Sequence, residues 1–219
     1  PDGIHVLEHM DRLVEIFNVC WPMYAAMPAV LKQAIEKAYI DCGWDMITSQ
    51  NKYEEKIYPS FLDISINIKD IIDKSEFDSD NKGAYKGSLL TRLQSLTNGI
   101  NGIIFSANEI DAESLFDKNV IIDLSRVGST ETKSLIMGMI VLKLQEYRMS
   151  NIGEMNAELK HLTVLEEAHN LLKRTSTEQS DDSSNLKGKS IEMLANAIAE
   201  MRTYGEGFII ADQAPELLD

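Results

Sequence analysis

Two adjacent carboxylates, Glu166 and Glu167, are the first candidates for chemistry in this sequence. They end the apolar run of HLTVLEEAHNLL (residues 161–172), of which residues 161–168 are predicted to be a buried strand. In phosphoryl-transfer sites one such acid holds Mg²⁺ and its neighbour orients the water that attacks the γ-phosphate. We therefore predict Glu166 on the metal side and Glu167 as the water-activating acid. The alternative is two exposed acids that simply open a loop.

Two other polar residues, Gln213 and Arg202, are candidates for the same chemistry, whereas His169 is not. Gln213, after Asp212, ends a later strand that we expect beside the strand carrying Glu167, so its amide could sense the attacking water or the γ-phosphate. Arg202, near the end of the preceding helix, could contact phosphate or a neighbouring subunit, or it could be an ordinary surface arginine. His169 belongs to no zinc-binding pattern, because H-E-x-x-H is absent, so we expect a structural role or a link to bound DNA.

A phosphate-binding loop is the part that such a site still needs. The tempting match is Gly188-Lys189-Ser190, but the loop requires a glycine five positions before Gly188, and Ser183 stands there. No apolar strand precedes it either. We predict instead a polar loop over residues 173–189, followed by a helix whose N-cap is Ser190.

Apolar runs that alternate with helical segments must position these residues. The predicted strands are 119–125, 161–168 and 207–213, and the predicted helices between them are 131–148 and 190–204. Continuous apolar strands separated by helices indicate a parallel sheet covered on both faces. Ligands of such sheets bind at the carboxyl ends of the strands, where Asp123, Ser125 and the residues above all fall.

The first part of the chain has a different pattern. Residues 29–40 carry apolar side chains at the spacing of an amphipathic helix, which Gly43 ends. We expect a mainly helical subdomain over residues 1–98 and a sheet-containing domain over residues 99–219. The fold class is thus α/β.

Composition sets the broad class. The chain has 219 residues, 44% of them hydrophobic, with a net charge of −14, which argues against coating nucleic acid by bulk electrostatics but permits a DNA motor with a basic pore loop.

No apolar stretch reaches the ~18 residues of a membrane span, and no signal peptide is visible, so we expect a cytoplasmic location. Cys20 and Cys42 are expected to be reduced. The start without methionine suggests part of a longer polypeptide.

The ordered set of motifs resembles the HerA/FtsK superfamily of hexameric DNA-pumping ATPases, in particular HerA-like bacterial ATP-binding proteins. HLTVLEEAHNLL and AIAEMRTYGEGFIIADQAPELLD are similar to the family's Walker B region and following strand. NVIIDLSRVGSTETKSLIMGMIVLKLQEYR resembles the strand and helix before it. EHMDRLVEIF and AYIDCGWD resemble the family's helical insertion.

This resemblance implies a partial RecA-like P-loop NTPase core with an N-terminal helical insertion subdomain, using ATP and Mg²⁺. By position, Glu167 matches the catalytic glutamate, and Glu166 the magnesium-side acid, usually aspartate. Gln213 matches a sensor-like glutamine, and Arg202 the arginine of a segment written R-K-F/Y-G. It further implies double-stranded DNA, a homo-hexameric ring and a possible nuclease as partners. The family's phosphate loop would precede Pro1, so residues 1–219 alone are expected to be inactive.

Three functions follow from these observations. The first is an ATP-driven translocase or helicase acting on double-stranded DNA. A DEAH-type helicase, suggested by EEAH, is disfavoured because IIADQAP replaces that family's Ser-Ala-Thr segment. The third is a non-hydrolysing ATPase-like assembly module of a conjugation or secretion complex, which glutamate rather than aspartate at position 166 keeps open.

Overall fold

The structure, a computed structural model, describes residues 3–106, 109–151, 157–172 and 181–213, with only the backbone described for 181–190. It divides into a sheet unit, Pro1–Met23 with Ile110–Asp219, and a helical unit, Tyr24–Glu109. The predicted division into residues 1–98 and 99–219 stays a prediction; the first helix packs with the second half of the chain.

Helices dominate both units. They are α1 (Val6–Cys20), α2 (Met27–Asp41), α3 (Phe61–Lys74), α4 (Ser79–Thr97), α5 (Gly99–Ile104), α6 (Ala112–Phe116), α7 (Thr130–Ser150), α8 (His169–Leu172) and α9 (Asp181–Glu200), with a 3₁₀ turn at Met201–Tyr204. The strands are β1 (Trp44–Asp45), β2 (Gln50–Asn51), β3 (His161–Glu166) and β4 (Glu206–Ala211).

In the helical unit, α2 confirms the predicted amphipathic helix. Its inward face contains the apolar residues that the spacing selected, all of them buried: Val30, Leu31, Ala34, Ile35, Ala38 and Tyr39. Gly43 follows the helix with φ +90°, a conformation that glycine adopts without steric cost. Helix α3 packs against α2 and α4. It begins with a capping box between Ser60 and Asp63.

In the sheet unit, β3 and β4 form the predicted parallel pair, with Val164 opposite Ile209. Because side chains alternate along a strand, Leu162, Val164 and Ile209 share one face, and all three are exposed. Leu165 points to the other side and is buried. Among the described residues, therefore, one face of this small sheet is open, where two covered faces were predicted.

The predicted strand at 119–125 is wrong. The segment lies outside any strand and exposes its apolar residues Val120, Ile121 and Ile122. A turn follows, in which the backbone N–H of Ser125 donates to Asp123 Oδ1 over 2.8 Å. A strand needs a neighbour for its hydrogen bonds, and within the described part of the chain β3 and β4 pair with each other alone.

The helix before β4 also starts elsewhere than predicted. α9 already begins at Asp181, so Ser190 lies inside it and is not its N-cap. The polar composition of the segment suggested a loop over 173–189, but polarity does not prevent a helix, and Gly188 lowers helix stability by only about 1 kcal/mol. Residues 173–180 of that predicted loop lie outside the described residues. The predicted helix at 131–148 is confirmed as α7, which Ser129 caps.

Helix α1 packs on α7 and α9 and gives the sheet unit its core. The largest fully buried side chains there include Met10, Phe17, Leu135 and Leu144. No helix within the described ranges is long and apolar enough to cross a membrane. Cys20 is buried, Cys42 is half-buried, and the two are not joined to each other.

Candidate active site

The parallel register brings the two polar strand ends together. Glu166 stands opposite Ala211, so Glu167 and Asp212 are the residues that directly follow the paired ends of the two strands. The prediction that the strand preceding Gln213 lies beside the strand carrying Glu167 is thereby confirmed. An apolar pair of strands thus presents acids at one edge, where open parallel sheets bind their ligands.

The two adjacent glutamates occupy different backbone conformations. Glu166 is the last residue of β3, lies on the same face as Val164 and is exposed. Glu167 has φ +52°, in the left-handed region that non-glycine residues rarely adopt. Asn170 closes this turn, because its backbone N–H and its side-chain amide both donate to the Glu167 carbonyl oxygen, over 3.0 and 2.9 Å.

Asp212 is a residue to which the sequence assigned no role. Its carboxylate accepts from the backbone N–H of His169 over 2.7 Å, and His169 Nδ1 lies 2.9 and 3.1 Å from its two oxygens. The Asp212 side chain is only 1% exposed. Its position directly after an apolar strand was the available signal, but that signal could not reveal His169 as its partner.

His169 lies between two acids. Its Nδ1 is 3.7 Å from Glu167 Oε2, which is beyond hydrogen-bond distance and becomes an ion pair only when the imidazole is protonated. The side chain of Glu167 is 47% exposed and that of His169 is 28% exposed. Solvent therefore reaches both residues, while the carboxylate that holds His169 is buried.

Gln213 and Arg202 lie at opposite ends of β4. Gln213 is exposed at the carboxyl end, close in sequence to Asp212. Arg202 is exposed in the 3₁₀ turn before the strand, and the six residues of β4 separate it from the carboxylates by about 20 Å. The structure therefore does not bring Arg202 to the acids within one chain. The catalytic roles assigned to both residues stay predictions.

The amino ends of β3 and β4 hold a second buried carboxylate. Glu206, whose side chain is 0% exposed, accepts from Arg148 Nε at 3.0 Å and from Thr163 Oγ1 at 2.7 Å, and His161 Nδ1 lies 2.7 Å away. Arg148 continues to Asp117 over 2.7 Å. This network links α7, the loop after α6 and both strands.

Tyr147 also belongs to this network. Its hydroxyl donates to Asp117 over 2.5 Å. That hydrogen bond, together with burial and the negative charge of Asp117, raises the pKa of Tyr147 to about 12. Tyr147 is therefore a neutral donor across the physiological range.

The acids at the carboxyl end fit one half of a Mg²⁺–nucleotide site. No set of three or more His, Cys, Asp or Glu residues that could hold a metal occurs among the described residues. Mg²⁺ bound with nucleotide needs only one or two carboxylates, since phosphates and water supply the remaining ligands. The exposed Glu166 suits that requirement. The sequence supplies no G-x-x-x-x-G-K-[ST] loop for the phosphates.

Comparison with known proteins gives a fold and no close relative. No protein-family model and no curated protein matches the chain. Among solved structures, VirB4 of Thermoanaerobacter pseudethanolicus is similar over 98% of this chain, with a TM-score of 0.62 and 15% sequence identity. The chain spans 52% of the length of that VirB4 chain. At this identity the likeness shows the fold, which is mixed helix and strand with a small parallel sheet.

Proposed function

We propose that this chain is the acid-bearing part of a P-loop ATPase of the secretion or conjugation type. The carrying observation is the pair Glu166 and Glu167 at the carboxyl edge of a parallel strand pair, in a fold similar to VirB4 over 98% of its length. The substrate would be ATP with Mg²⁺, and the fold would be a partial RecA-like core with a helical insertion.

Each acid has a distinct part in this proposal. Glu167 would orient the water for in-line attack on the γ-phosphate, and Glu166 would hold Mg²⁺. When bound, Mg²⁺ neutralises the charge that develops on the phosphate oxygens. Gln213, exposed at the same edge, offers an amide to the water or to the γ-phosphate. The phosphate-binding loop would come from a segment outside residues 1–219.

The likeness to VirB4 favours a secretion or conjugation ATPase over a HerA-type DNA translocase. Double-stranded DNA, a homo-hexameric ring and a nuclease partner remain part of the translocase alternative. Arg202 is relevant to assembly in either case. Because it is exposed at the far end of β4, its proposed role is to contact nucleotide bound by a neighbouring subunit.

ATP turnover by the intact polypeptide that contains these residues tests the proposal. We expect Glu167→Gln to lower kcat by about 10²–10⁴-fold, because the amide cannot accept the water's proton. Nucleotide affinity should change little. Glu192→Gln is the matched control, since it makes the same change at an exposed position of α9 and should leave turnover unaltered.

Three outcomes decide between the alternatives. Unchanged turnover in Glu167→Gln would remove the catalytic assignment. ATP binding without measurable turnover in the unsubstituted polypeptide would favour the non-hydrolysing module. Turnover stimulated several-fold by double-stranded DNA would instead support the translocase.

A further inference from the structure

We propose that Asp212 and His169 are positioning residues that fix the location of the Glu167 carboxylate. The proposal rests on the ATPase function above, because it assigns a task to residues that support its water-activating acid. It concerns a series of contacts that run from Asp212, at the end of β4, through His169 to the turn at Glu167.

Asp212 can hold His169 in one position, because the position of Asp212 is itself fixed. Its side chain is 1% exposed, and it follows directly on a strand whose register with β3 is fixed by a parallel ladder. It accepts from His169 through two kinds of donor, the backbone N–H at 2.7 Å and ring Nδ1 at 2.9 Å. A backbone donor and a ring donor together fix both the position of the His169 main chain and the orientation of its imidazole.

The turn at Glu167 needs such an anchor. A non-glycine residue keeps a left-handed conformation only where surrounding contacts over-determine it, and Glu167 has φ +52°. Asn170 holds the Glu167 carbonyl oxygen from within the same turn. Ala168 is fully buried, and the N–H of His169 binds Asp212. Asp212 is thus the contact that ties this turn to the other strand.

The proton on His169 follows from the same contact. An ionised carboxylate only accepts hydrogen bonds, so Nδ1 carries the proton when it binds Asp212. That N–H is directed to Asp212 and lies 3.7 Å from Glu167 Oε2, too far for a hydrogen bond. The Glu167 carboxylate therefore keeps its acceptor capacity for water. Displacement of a reacting group by about 1 Å can lower a rate by about 10²-fold, so the anchor matters for turnover.

Substitutions at both residues in the intact polypeptide test this proposal. We expect Asp212→Ala and His169→Ala to lower kcat for ATP by about 10–100-fold, with KM changed by less than about 2-fold, because the phosphate contacts are unaffected. His169→Asn keeps an N–H donor where Nδ1 lies, so it should retain most of the turnover. His169→Gln places its amide one bond further out and should be slow.

A matched control lies at the other end of the strand pair. His161→Ala removes a histidine contact to the buried Glu206, as His169→Ala does to Asp212. It should lower the melting temperature and leave kcat per folded molecule unchanged. Melting temperatures and ATP titrations of all variants separate loss of folding from loss of positioning. If the alanine variants do not fold, the comparison of His169→Asn with His169→Gln decides.

The outcomes are distinct. Unchanged kcat in both alanine variants overturns the positioning roles and leaves the ATPase proposal intact. Equal loss in His169→Asn and His169→Ala overturns them as well, because the ring itself would then be required. Absence of turnover in the unsubstituted polypeptide overturns the hydrolytic function and, with it, this inference.

Discussion

Each end of the β3–β4 pair has a histidine bound to a buried carboxylate, but the two contacts serve different purposes. At the amino end, His161 binds the buried carboxylate of Glu206. At the carboxyl end, His169 binds the buried carboxylate of Asp212. In each case the histidine comes from the β3 segment and the acid from the β4 segment. The parallel pair is thus connected across its strands at both ends by a histidine and an acid.

The difference lies in what remains exposed. The amino end is closed, because Arg148 and Thr163 also bind Glu206. The carboxyl end instead leaves Glu166 and Glu167 accessible to solvent. A closed network stabilises the fold, whereas exposed acids beside a fixed histidine can act on a ligand.

The backbone conformations at the two ends also differ in how much strain they carry. Gly205, before β4, has φ +85°, and Glu167, after β3, has φ +52°. Glycine adopts this conformation without steric cost, but glutamate is strained there. The strain is therefore placed at the end that carries the candidate catalytic acid. Substitutions at the two ends are expected to change the free energy of unfolding to different extents, with Glu206→Gln the largest and Asp117→Asn the smallest.

Glu206→Gln should produce the largest loss of stability. It removes a buried negative charge opposite Arg148, whose side chain is 11% exposed. Breaking a buried ion pair in this way costs about 3–5 kcal/mol. Urea unfolding measures the loss, and Glu192→Gln on the surface should change it little. A large drop in kcat per folded molecule would contradict the division of tasks between the two ends.

Gly205→Ala should destabilise the amino end by about 1–3 kcal/mol, because alanine is strained at positive φ. The added Cβ would also lie 2.6 Å from the Glu158 carbonyl oxygen. Thermal unfolding is the measurement. Gly87→Ala in α4 is the control, since its Cβ would meet nothing within 4 Å and helix propensity predicts a gain in stability. Equal effects at both positions would show that Gly205 is not required by its conformation.

Glu167→Gly should have the opposite sign and raise stability by about 1 kcal/mol, because glycine relieves the left-handed strain. Turnover should be lost with the carboxylate. The control is Glu166→Gly, the same substitution within a strand, which should lower stability by about 0.5–1 kcal/mol. Denaturant titration of both variants shows whether strain is stored at Glu167; a loss in Glu167→Gly would show that it is not.

Asp117→Asn should have the smallest effect on the free energy of unfolding, and this effect should depend on pH. Burial raises the pKa of Asp117, but hydrogen bonds from Arg148 and Tyr147 outweigh it and hold the pKa below 3.8. The contribution of Asp117 to the free energy of unfolding is therefore fully present above pH 3.8. It is lost as the pH falls through the pKa of Asp117 in the folded protein. The side chain is 42% exposed, so we expect about 0–1 kcal/mol at neutral pH. The difference between wild type and variant should shrink below about pH 4; a constant difference would contradict the assignment.

Local patterns were sufficient for several elements. The 3–4 spacing at residues 29–40 predicted α2, because an amphipathic helix needs only one buried face. Apolar runs that alternate with helices predicted the parallel pairing of β3 and β4. The adjacent glutamates at the end of an apolar run predicted acids at a strand end, and Glu166 is the last residue of β3.

Features that depend on partners were not predictable. The apolar run at 119–125 forms no strand, because a strand exists only beside a hydrogen-bonding neighbour. Ser190 looked like a helix start, but α9 had already begun at Asp181. Arg202 is near Gln213 in sequence, yet an intervening strand places it at the other end of the sheet.

The sequence by itself determined which residues carry charge at the strand ends, because residue type and apolar pattern are local properties. Only the tertiary structure decided which of them meet. It brought Asp212 to His169 across 43 positions of sequence and gave Glu167 its left-handed backbone. Both outcomes depend on the register between β3 and β4, and register is set by packing and ladder hydrogen bonds across the whole pair rather than by any one residue.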